Sequence, residues 1–316
     1  MDYLEFERPI AELEGKIVEL RKLADEDPAM DIDADVGRLK ERADQMVRDT
    51  YAKLTPWQKV QVARHQNRPH FLDYAKLMFD EFTPLAGDRS FGEDRAIVAG
   101  LARFRGRPVA FIGQEKGNDT KTRVEHNFGS AMPEGYRKCV RLFELADRFG
   151  LPVLSLCDTS GAYPGVSAEE RGQAEAIARS IEAGLSLKAP FIATIIGEGM
   201  SGGAIAIAAA NRIYMLEHAI YSVISPEGCA SILWRDATKA QDAAGALRIT
   251  AQDLQDLKVI DAIIPEPIGG AHREPEKAIN AAADQIARGL AEMESLSGEE
   301  LLRQRRAKFL AMGRNL

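Results

Sequence analysis

The sequence predicts an α/β protein with a helical N-terminal arm and C-terminal helices. From about residue 96 onward, short apolar runs alternate with amphipathic stretches, as in strands joined by helices. The first ninety residues are highly charged and repeat their apolar side chains every three or four positions, which indicates helices. We therefore expect a helical arm over residues 1–90, an α/β core over 91–270 and a helical extension over 271–316.

The arm is expected to contain four helices that pack against the core or another subunit. Apolar residues recur at helical spacing from Ile10 to Ala24 and from Val36 to Met46, which predicts two paired helices around a polar break at 25–31. Two further helix starts are predicted at Thr55, which precedes Pro56, and at Asp73. No pattern in this region suggests catalysis.

The core is expected to begin with a β-hairpin and continue with alternating helices and strands. The hairpin strands span 96–104 and 108–112 and turn at Arg105-Gly106-Arg107. Then follow a helix over 134–149, strands over 153–157 and 191–196 separated by a helix over 169–187, a glycine loop, a short apolar helix, and strands over 212–216, 219–224 and 259–264. Helix caps are predicted at Ser225 and at Ser297, the latter with Glu300 as a capping box.

Composition narrows the classes of partner and the compartment. A net charge of −7 over 316 residues argues against nucleic acid or an anionic membrane as the main partner. The three cysteines are far apart, so neither a disulfide framework nor a thiolate zinc site is expected. The first residues are acidic rather than basic, and no apolar run reaches the length of a membrane span. We therefore expect a cytoplasmic protein.

The glycine-rich stretch from Gly197 to Gly203 is compatible with three kinds of site. As Gly-x-Gly-x-x-Gly it resembles a dinucleotide loop, with Glu217 as the ribose ligand about twenty residues later. As Gly-x-Ser-x-Gly it resembles a nucleophile elbow around Ser201. The third possibility uses only the backbone, because amide groups at a helix start have no intrahelical partner and can hold an oxyanion.

A second strand-to-helix junction lies about forty residues earlier. Gly161 and Gly165 permit backbone angles closed to other residues, and Pro164 stiffens the turn between them. Two such junctions at strand ends suit one crevice to which each contributes backbone donors.

Six motifs follow one another along the chain: Asn127-Phe128-Gly129, Pro133 to Lys138, Asp158 to Gly165, Ala168 to Gln173, Ile196 to Ala204 and Tyr221 to Trp234. In these motifs, and along nearly its whole length, the chain resembles the carboxyltransferase alpha subunit of multi-subunit bacterial and plastid acetyl-CoA carboxylase. The chain departs from the family pattern at Ser160, where proline is usual, and at Met200, where glycine is usual.

This resemblance implies a crotonase-like (ClpP/crotonase) core of stacked βα units. It implies transfer of a carboxyl group from carboxybiotin, on the biotin carboxyl carrier protein, to acetyl-CoA, giving malonyl-CoA for fatty acid synthesis. The implied partners are a beta subunit that carries a zinc ribbon and holds acetyl-CoA, in an α2β2 assembly, and biotin carboxylase. No metal is expected in this chain.

The resemblance also implies that the backbone amides of Gly202 and Gly203 face the ureido oxygen of biotin. Beyond the resemblance, we expect Gly161 and Ala162 to serve as walls or donors on the opposite loop, and Gly199 and Ser201 to contact the substrate. Released biotin can itself take the methyl proton, so no side-chain base is required. Basic residues that could meet a phosphate, although such residues in a polar loop are usually solvated, are Lys116, Lys121 and Arg123.

Two other classes of enzyme are alternatives. A serine hydrolase would use Ser201 with His218 or His272 as base and Asp261 as orienting residue. A dinucleotide-binding oxidoreductase would use the glycines from 197 onward, but its fingerprint normally lies in the first βαβ unit, and several strands precede it here.

Overall fold

An eight-stranded mixed sheet forms the centre of the computed structural model, which describes residues 2–26 and 32–314. The strands are β1 (Phe79–Pro84), β2 (Ile97–Phe104), β3 (Arg107–Gln114), β4 (Val153–Thr159), β5 (Phe191–Met200), β6 (Arg212–Leu216), β7 (Ile220–Ser222) and β8 (Ala262–Ile264). Their order is β1-β2-β3-β4-β5-β6-β8, and β7 pairs with the end of β5. The first two pairings are antiparallel and the others are parallel.

Helices surround this sheet and form both ends of the described chain. They are α1 (Arg8–Glu26), α2 (Asp33–Tyr51), α3 (Pro56–Ala63), α4 (Phe71–Met78), α5 (Thr120–Glu125), α6 (Pro133–Phe149), α7 (Val166–Glu169), α8 (Gln173–Ser186), α9 (Ser201–Ala208), α10 (Pro226–Trp234), α11 (Ala240–Ala246), α12 (Ala251–Asp256), α13 (Pro275–Glu292) and α14 (Gly298–Ala311). Short 3₁₀ turns span Glu5–Glu7, Asn127–Gly129 and Ala237–Lys239.

The central strands are buried on both faces because helices cover both. Every residue of β4 and β5 is buried, as expected for parallel strands between two helical layers. On one face the ring of Phe191 lies 5.2 Å from that of Phe143 in α6. The next residue, Ile192, faces Gly289 of α13 on the other side.

Most predicted elements of the arm are confirmed. Helices α1 and α2 pack together, and Thr55 caps α3 by accepting a hydrogen bond from the Gln58 amide. The predicted cap at Asp73 is wrong, because His70 precedes α4 and Asp73 lies in its first turn, where it accepts the His70 amide at 2.8 Å. The polar break lies mostly outside the described residues. Strand β1, in the range assigned to the arm, was not predicted.

In the core, the hairpin, the strands and the cap at Ser225 are confirmed, with two differences. The cap at Ser297 in the C-terminal extension is also confirmed. The helix predicted over 169–187 begins only at Gln173, as α8, because Gly172 before it takes the left-handed φ of 79° and separates it from the short helix α7. Strand β5 runs on to Met200, so the glycines at 197 and 199 lie in a strand rather than a loop.

Candidate active site

The two glycine-containing junctions lie side by side at one edge of the sheet. Strands β4 and β5 are parallel neighbours, and Thr159 at the end of β4 pairs with Gly199 near the end of β5. The chain leaves β4 through the loop that contains Gly161 and Ala162, and it leaves β5 directly into helix α9. The two junctions that were expected to share one crevice are therefore neighbours in the structure.

Ser201 makes the turn from strand β5 into helix α9. It adopts a φ of 54°, which is rare for a residue other than glycine and costs on the order of 1–3 kcal/mol. Gly202 and Gly203 follow in the first turn of the helix, whose amide groups have no partner within the helix. The Ser201 side chain is exposed, whereas Gly203 is buried. The left-handed conformation of Ser201 therefore sets the direction in which the helix leaves the strand.

The two junctions are in direct backbone contact at Gly203. A Cβ atom on Gly203 would lie 2.8 Å from the carbonyl carbon of Gly161 and 2.9 Å from the amide nitrogen of Ala162. Gly161 itself has a φ of 133°, which favours glycine. The structure therefore brings Gly161, Ala162, Gly202 and Gly203 together.

Helix α9 is short and apolar, and buried side chains hold its carbonyl groups. Gln114 donates to the Gly203 carbonyl at 2.7 Å, Ser180 to the Ala206 carbonyl at 2.7 Å, and Ser155 to the Ile207 carbonyl at 2.6 Å. The last carbonyls of a helix have no internal partner, so the two serine bonds satisfy groups that would otherwise be buried without one. The helix is thus fixed along its length.

Gly197 and Gly199 are required by packing against side chains. A Cβ on Gly197 would lie 2.5 Å from Oδ1 of Asp158, and one on Gly199 would lie 2.9 Å from the Tyr221 ring. Both glycines are buried within β5, and the Glu198 amide between them donates to Asp158 Oδ1 at 2.9 Å. The dinucleotide interpretation is therefore wrong, because it needs these glycines in an open loop.

A row of alternating charges lines a cleft of about 240 Å³ beside the junctions. Lys116 Nζ lies 2.7 Å from Asp158 and 2.8 Å from Glu198, and Arg64 contacts Glu198 at 2.6 Å. Burial alone would raise the pKa of Glu198, but the charges of Lys116 and Arg64 outweigh it and hold that pKa at about 2. Burial would lower the pKa of Lys116, yet its two carboxylate partners raise it to about 12.

This pairing changes the interpretation of the basic residues. Lys116 is neither solvated nor free for a phosphate, because its ammonium group bridges two carboxylates. Arg123 lines the same cleft and donates to the Gly117 carbonyl at 3.3 Å, whereas Lys121 is exposed.

The Asn127-Phe128-Gly129 motif forms a tight turn at the cleft, with φ of 48°, 53° and 77° at its three residues. Gly129 has no room for a Cβ, which would lie 2.9 Å from both the Asp158 carbonyl oxygen and Cγ of Lys116. The turn leaves Phe128 exposed at the cleft wall. Its strained backbone is the kind of feature that clusters at functional sites.

A family model described as "Acetyl co-enzyme A carboxylase carboxyltransferase-like" matches residues 3–313. The chain belongs to the acetyl-CoA carboxylase carboxyltransferase alpha-subunit family. It is 66% identical to the acetyl-coenzyme A carboxylase carboxyl transferase subunit alpha of Rhizobium leguminosarum bv. trifolii and 65% identical to that of Agrobacterium fabrum. Each comparison covers 100% of this chain and 99% of the relative. Membership makes the chain a component of a biotin-dependent carboxyltransferase.

Solved structures with the same fold are also carboxyltransferases or related enzymes. Transcarboxylase 12S superimposes with a TM-score of 0.59 and 18% identity over 76% of this chain and 44% of that one. The beta subunit of Pseudomonas aeruginosa geranyl-CoA carboxylase superimposes with a TM-score of 0.57 and 15% identity, over 78% of this chain and 46% of that one. A chain of a Pseudomonas malonate decarboxylase hetero-tetramer superimposes with a TM-score of 0.56 and 16% identity, over 69% of this chain and 85% of that one. The fold of this alpha-subunit chain is therefore crotonase-like, as the resemblance implied.

The two departures of this alpha-subunit sequence from the family pattern lie at the two junctions. Met200 is buried in an apolar cluster with Val60 and Ile220 at the end of β5. Ser160 is exposed at the end of β4, with its hydroxyl 3.3 Å from that of Ser130. Met200 therefore points into the protein rather than into the cleft.

The residues required by a serine hydrolase do not form a triad in this alpha-subunit chain. The His272 ring stacks on His65 at 3.9 Å between centroids, and neither ring nitrogen of His272 has a hydrogen-bond partner among the described residues. Burial, together with the nearby His65 and arginine charges, lowers its pKa to about 3. Asp261 accepts the Ile213 amide at 2.6 Å and pairs with a lysine. The hydrolase alternative is not supported.

Within residues 2–26 and 32–314, no group of three or more histidine, cysteine, aspartate or glutamate side chains is arranged to hold a metal ion. Over the same residues, none of the helices combines the length and apolarity needed to cross a bilayer.

The sequence patterns missed Gln114, Asp158 and the bridging role of Lys116. The available signal was a polar residue at the end of a mostly apolar strand, as in Val109 to Gln114 and Val153 to Asp158. The contacts among these residues depend on the order of the strands in the sheet, which the sequence patterns do not give.

Proposed function

We propose that this chain supplies the biotin half of the carboxyltransferase site, with the amides of Gly202 and Gly203 directed at the ureido oxygen of biotin. The reaction moves the carboxyl group of carboxybiotin, on the biotin carboxyl carrier protein, to acetyl-CoA and yields malonyl-CoA. The observation that carries the proposal is the first turn of α9, which opens at the sheet edge against the Gly161–Ala162 loop.

Backbone donors suit this chemistry because its difficult species are oxyanions. When carboxybiotin gives up its carboxyl group, negative charge develops on the ureido oxygen, and a preformed donor there is worth about 2.7–4 kcal/mol. The positive end of the α9 dipole adds roughly 0.3–1 kcal/mol. Because biotin itself takes the methyl proton of acetyl-CoA, the site needs no side-chain base.

The other predicted site residues have distinct proposed roles. Gly161 and Ala162 form the opposite wall, because their peptide lies against Gly203. Ser201 provides the left-handed bend that exposes the first helical amides, rather than a reactive hydroxyl. Gly199 holds the end of β5 through its pairing with Thr159.

The proposed partner is a beta subunit that carries a zinc ribbon and holds acetyl-CoA, in an α2β2 assembly served by biotin carboxylase. Support comes from α10 and the turn before it, which expose four large apolar side chains: Val223, Ile232, Leu233 and Trp234. Leu233→Asp should lower the fraction of this chain that co-purifies with the beta subunit, whereas Leu77→Asp, at an exposed site on α4, should not. A cytoplasmic location stays a prediction.

The test is reconstitution with a zinc-ribbon beta subunit and measurement of malonyl-CoA-dependent carboxylation of biocytin. Ser201→Ala should keep most activity because the donors are main-chain groups. Gly203→Pro deletes one N–H and also places a Cβ against Gly161 and Ala162, so it should abolish transfer while the complex still assembles. Its loss should far exceed that of Gly203→Ala, which makes the same contact but keeps the N–H. Equal losses in folded Ser201→Ala and Gly203→Pro would refute the backbone proposal, as would a biotin complex in which the ureido oxygen points away from these amides.

A further inference from the structure

We propose that Gln114 is a positioning residue that fixes the two backbone junctions relative to each other. The inference rests on the function proposed above. Gln114 is the last residue of β3 and its side chain is completely buried. Its Oε1 accepts the Asp158 amide at 3.0 Å, and its Nε2 donates to the Gly203 carbonyl at 2.7 Å. One amide group thus joins the end of β4 to the first turn of α9.

At β4, the Gln114 side chain takes the place of a backbone hydrogen bond that the neighbouring strand does not supply. The ladder between β3 and β4 ends at the pair Gly113 and Leu156, and the pairing of β4 with β5 is irregular between Cys157 and Thr159. The Asp158 amide lies in this irregular part and is satisfied by the Gln114 side chain. The bond therefore sets where the Gly161–Ala162 loop leaves the sheet.

At α9, Gln114 restrains the peptide that follows Gly203. Gly203 has no side chain to restrict its backbone angles, so its orientation depends on the helix, on the contact with Gly161 and Ala162 and on the Gln114 bond. The bond to its carbonyl fixes the Gly203–Ala204 peptide and, through it, the direction of the preceding amides. Because Gly203 also touches the Gly161–Ala162 peptide, a small rotation there changes the width of the site.

Ser180 offers a matched control on the same helix. Its hydroxyl is also completely buried and also donates to a carbonyl of α9, at 2.7 Å. That carbonyl belongs to Ala206, in the second half of the helix, away from the proposed donors. Loss of this bond should destabilise the helix without rotating its first turn.

The experiment compares Gln114→Met, Gln114→Glu and Ser180→Ala in the complex reconstituted with the beta subunit. Gln114→Met removes both bonds at similar volume and should lower kcat for biocytin carboxylation by about ten- to a hundredfold, as expected for sub-ångström misplacement. The KM for malonyl-CoA should stay within about twofold, because that substrate is held by the partner. Ser180→Ala should lower thermal stability while kcat changes by less than about twofold.

Gln114→Glu keeps the acceptor for the Asp158 amide but donates to Gly203 only when its carboxyl is protonated. Its activity relative to wild type should therefore rise as the pH is lowered, with burial raising the pKa of the introduced carboxyl. Because an ionised buried carboxylate also destabilises the fold, urea unfolding of this variant is measured over the same pH range. A positioning role requires kcat to follow the pH even where the variant stays fully folded. This variant also provides the test if Gln114→Met fails to fold.

Equal kcat for Gln114→Met and Ser180→Ala, a change confined to KM, or a flat relative pH profile for Gln114→Glu would each overturn the inference. Gly203→Pro separates the two proposals. Transfer by Gly203→Pro would refute the function proposed for the amides, whatever Gln114 does. If Gly203→Pro lost transfer while Gln114→Met kept full activity, only the positioning role of Gln114 would be refuted.

Discussion

Replacement of Gly203 by alanine should damage the site while keeping every backbone donor. The new methyl group would lie 2.8 Å from the Gly161 carbonyl carbon and 2.9 Å from the Ala162 nitrogen, where ordinary contacts begin at 3.4 Å. These neighbours are backbone atoms, so the two junctions must separate by about 0.5 Å, close to the tolerance of a catalytic arrangement. A displacement of 1 Å costs about a hundredfold in rate, so we expect a loss of about tenfold in kcat.

Stability should fall as well, because overpacking in a buried contact costs about 1–3 kcal/mol. The matched control is Gly202→Ala, whose methyl group would meet only two side-chain carbons of Ile177, both at 3.4 Å. Alanine is favoured over glycine within a helix by up to about 1 kcal/mol, so this variant should be at least as stable as wild type.

The assay is malonyl-CoA-dependent carboxylation of biocytin by the reconstituted complex, with urea unfolding of the isolated chain. Gly202→Ala should lose clearly less activity than Gly203→Ala. If the two folded variants were equally active and equally stable, the contact between the junctions would not control the site, and the reasoning would fail.

Three further predictions concern the charges of the molecule. The pKa of Glu198 is about 2 in the folded protein, against 4.5 for an ordinary glutamate. The ionised carboxylate therefore adds about 3 kcal/mol to the free energy of unfolding above pH 4.5, and this contribution is lost as the pH falls toward 2. In Glu198→Gln, the free energy of unfolding measured in urea between pH 5 and 2.5 should lack this decrease. Lys116→Met leaves two buried carboxylates without their shared cation and should cost about 3–5 kcal/mol by urea unfolding. The control is Lys121→Met, at an exposed position, which should change the free energy of unfolding by less than about 0.5 kcal/mol. A similar loss of stability in Lys116→Met and Lys121→Met would show that Lys116 does not stabilise the protein by bridging Asp158 and Glu198. Arg305 of α14 is fully buried and donates to three main-chain carbonyls around the end of α8. Arg305→Met would leave these buried carbonyls without that donor, so it should lower the melting temperature far more than Arg306→Met at the exposed neighbouring position.

The sequence patterns predict the presence of helices and strands more reliably than the residues at which they end. Apolar runs identified β4 and β5, and the capping residues Ser225 and Ser297 were recognised because a cap acts within one helical turn. Glycine usually weakens a strand, so the sequence pattern predicts a loop at Gly197 and Gly199. In the structure they continue β5, since the Asp158 carboxylate and the Tyr221 ring occupy the space where their side chains would be.

The sequence by itself determined the α/β class, the strand-to-helix junction at Ser201, the presence of a second junction at Gly161 and the family to which their motifs belong. These features reside in short stretches of chain, where propensity, glycine freedom and capping act locally. Only the tertiary structure decided that Gly203 touches the Gly161–Ala162 peptide, that Lys116 bridges Asp158 and Glu198, and that Gln114 joins both junctions. Those contacts join residues some 40 to 90 positions apart, and the order in which parallel strands assemble brings them together.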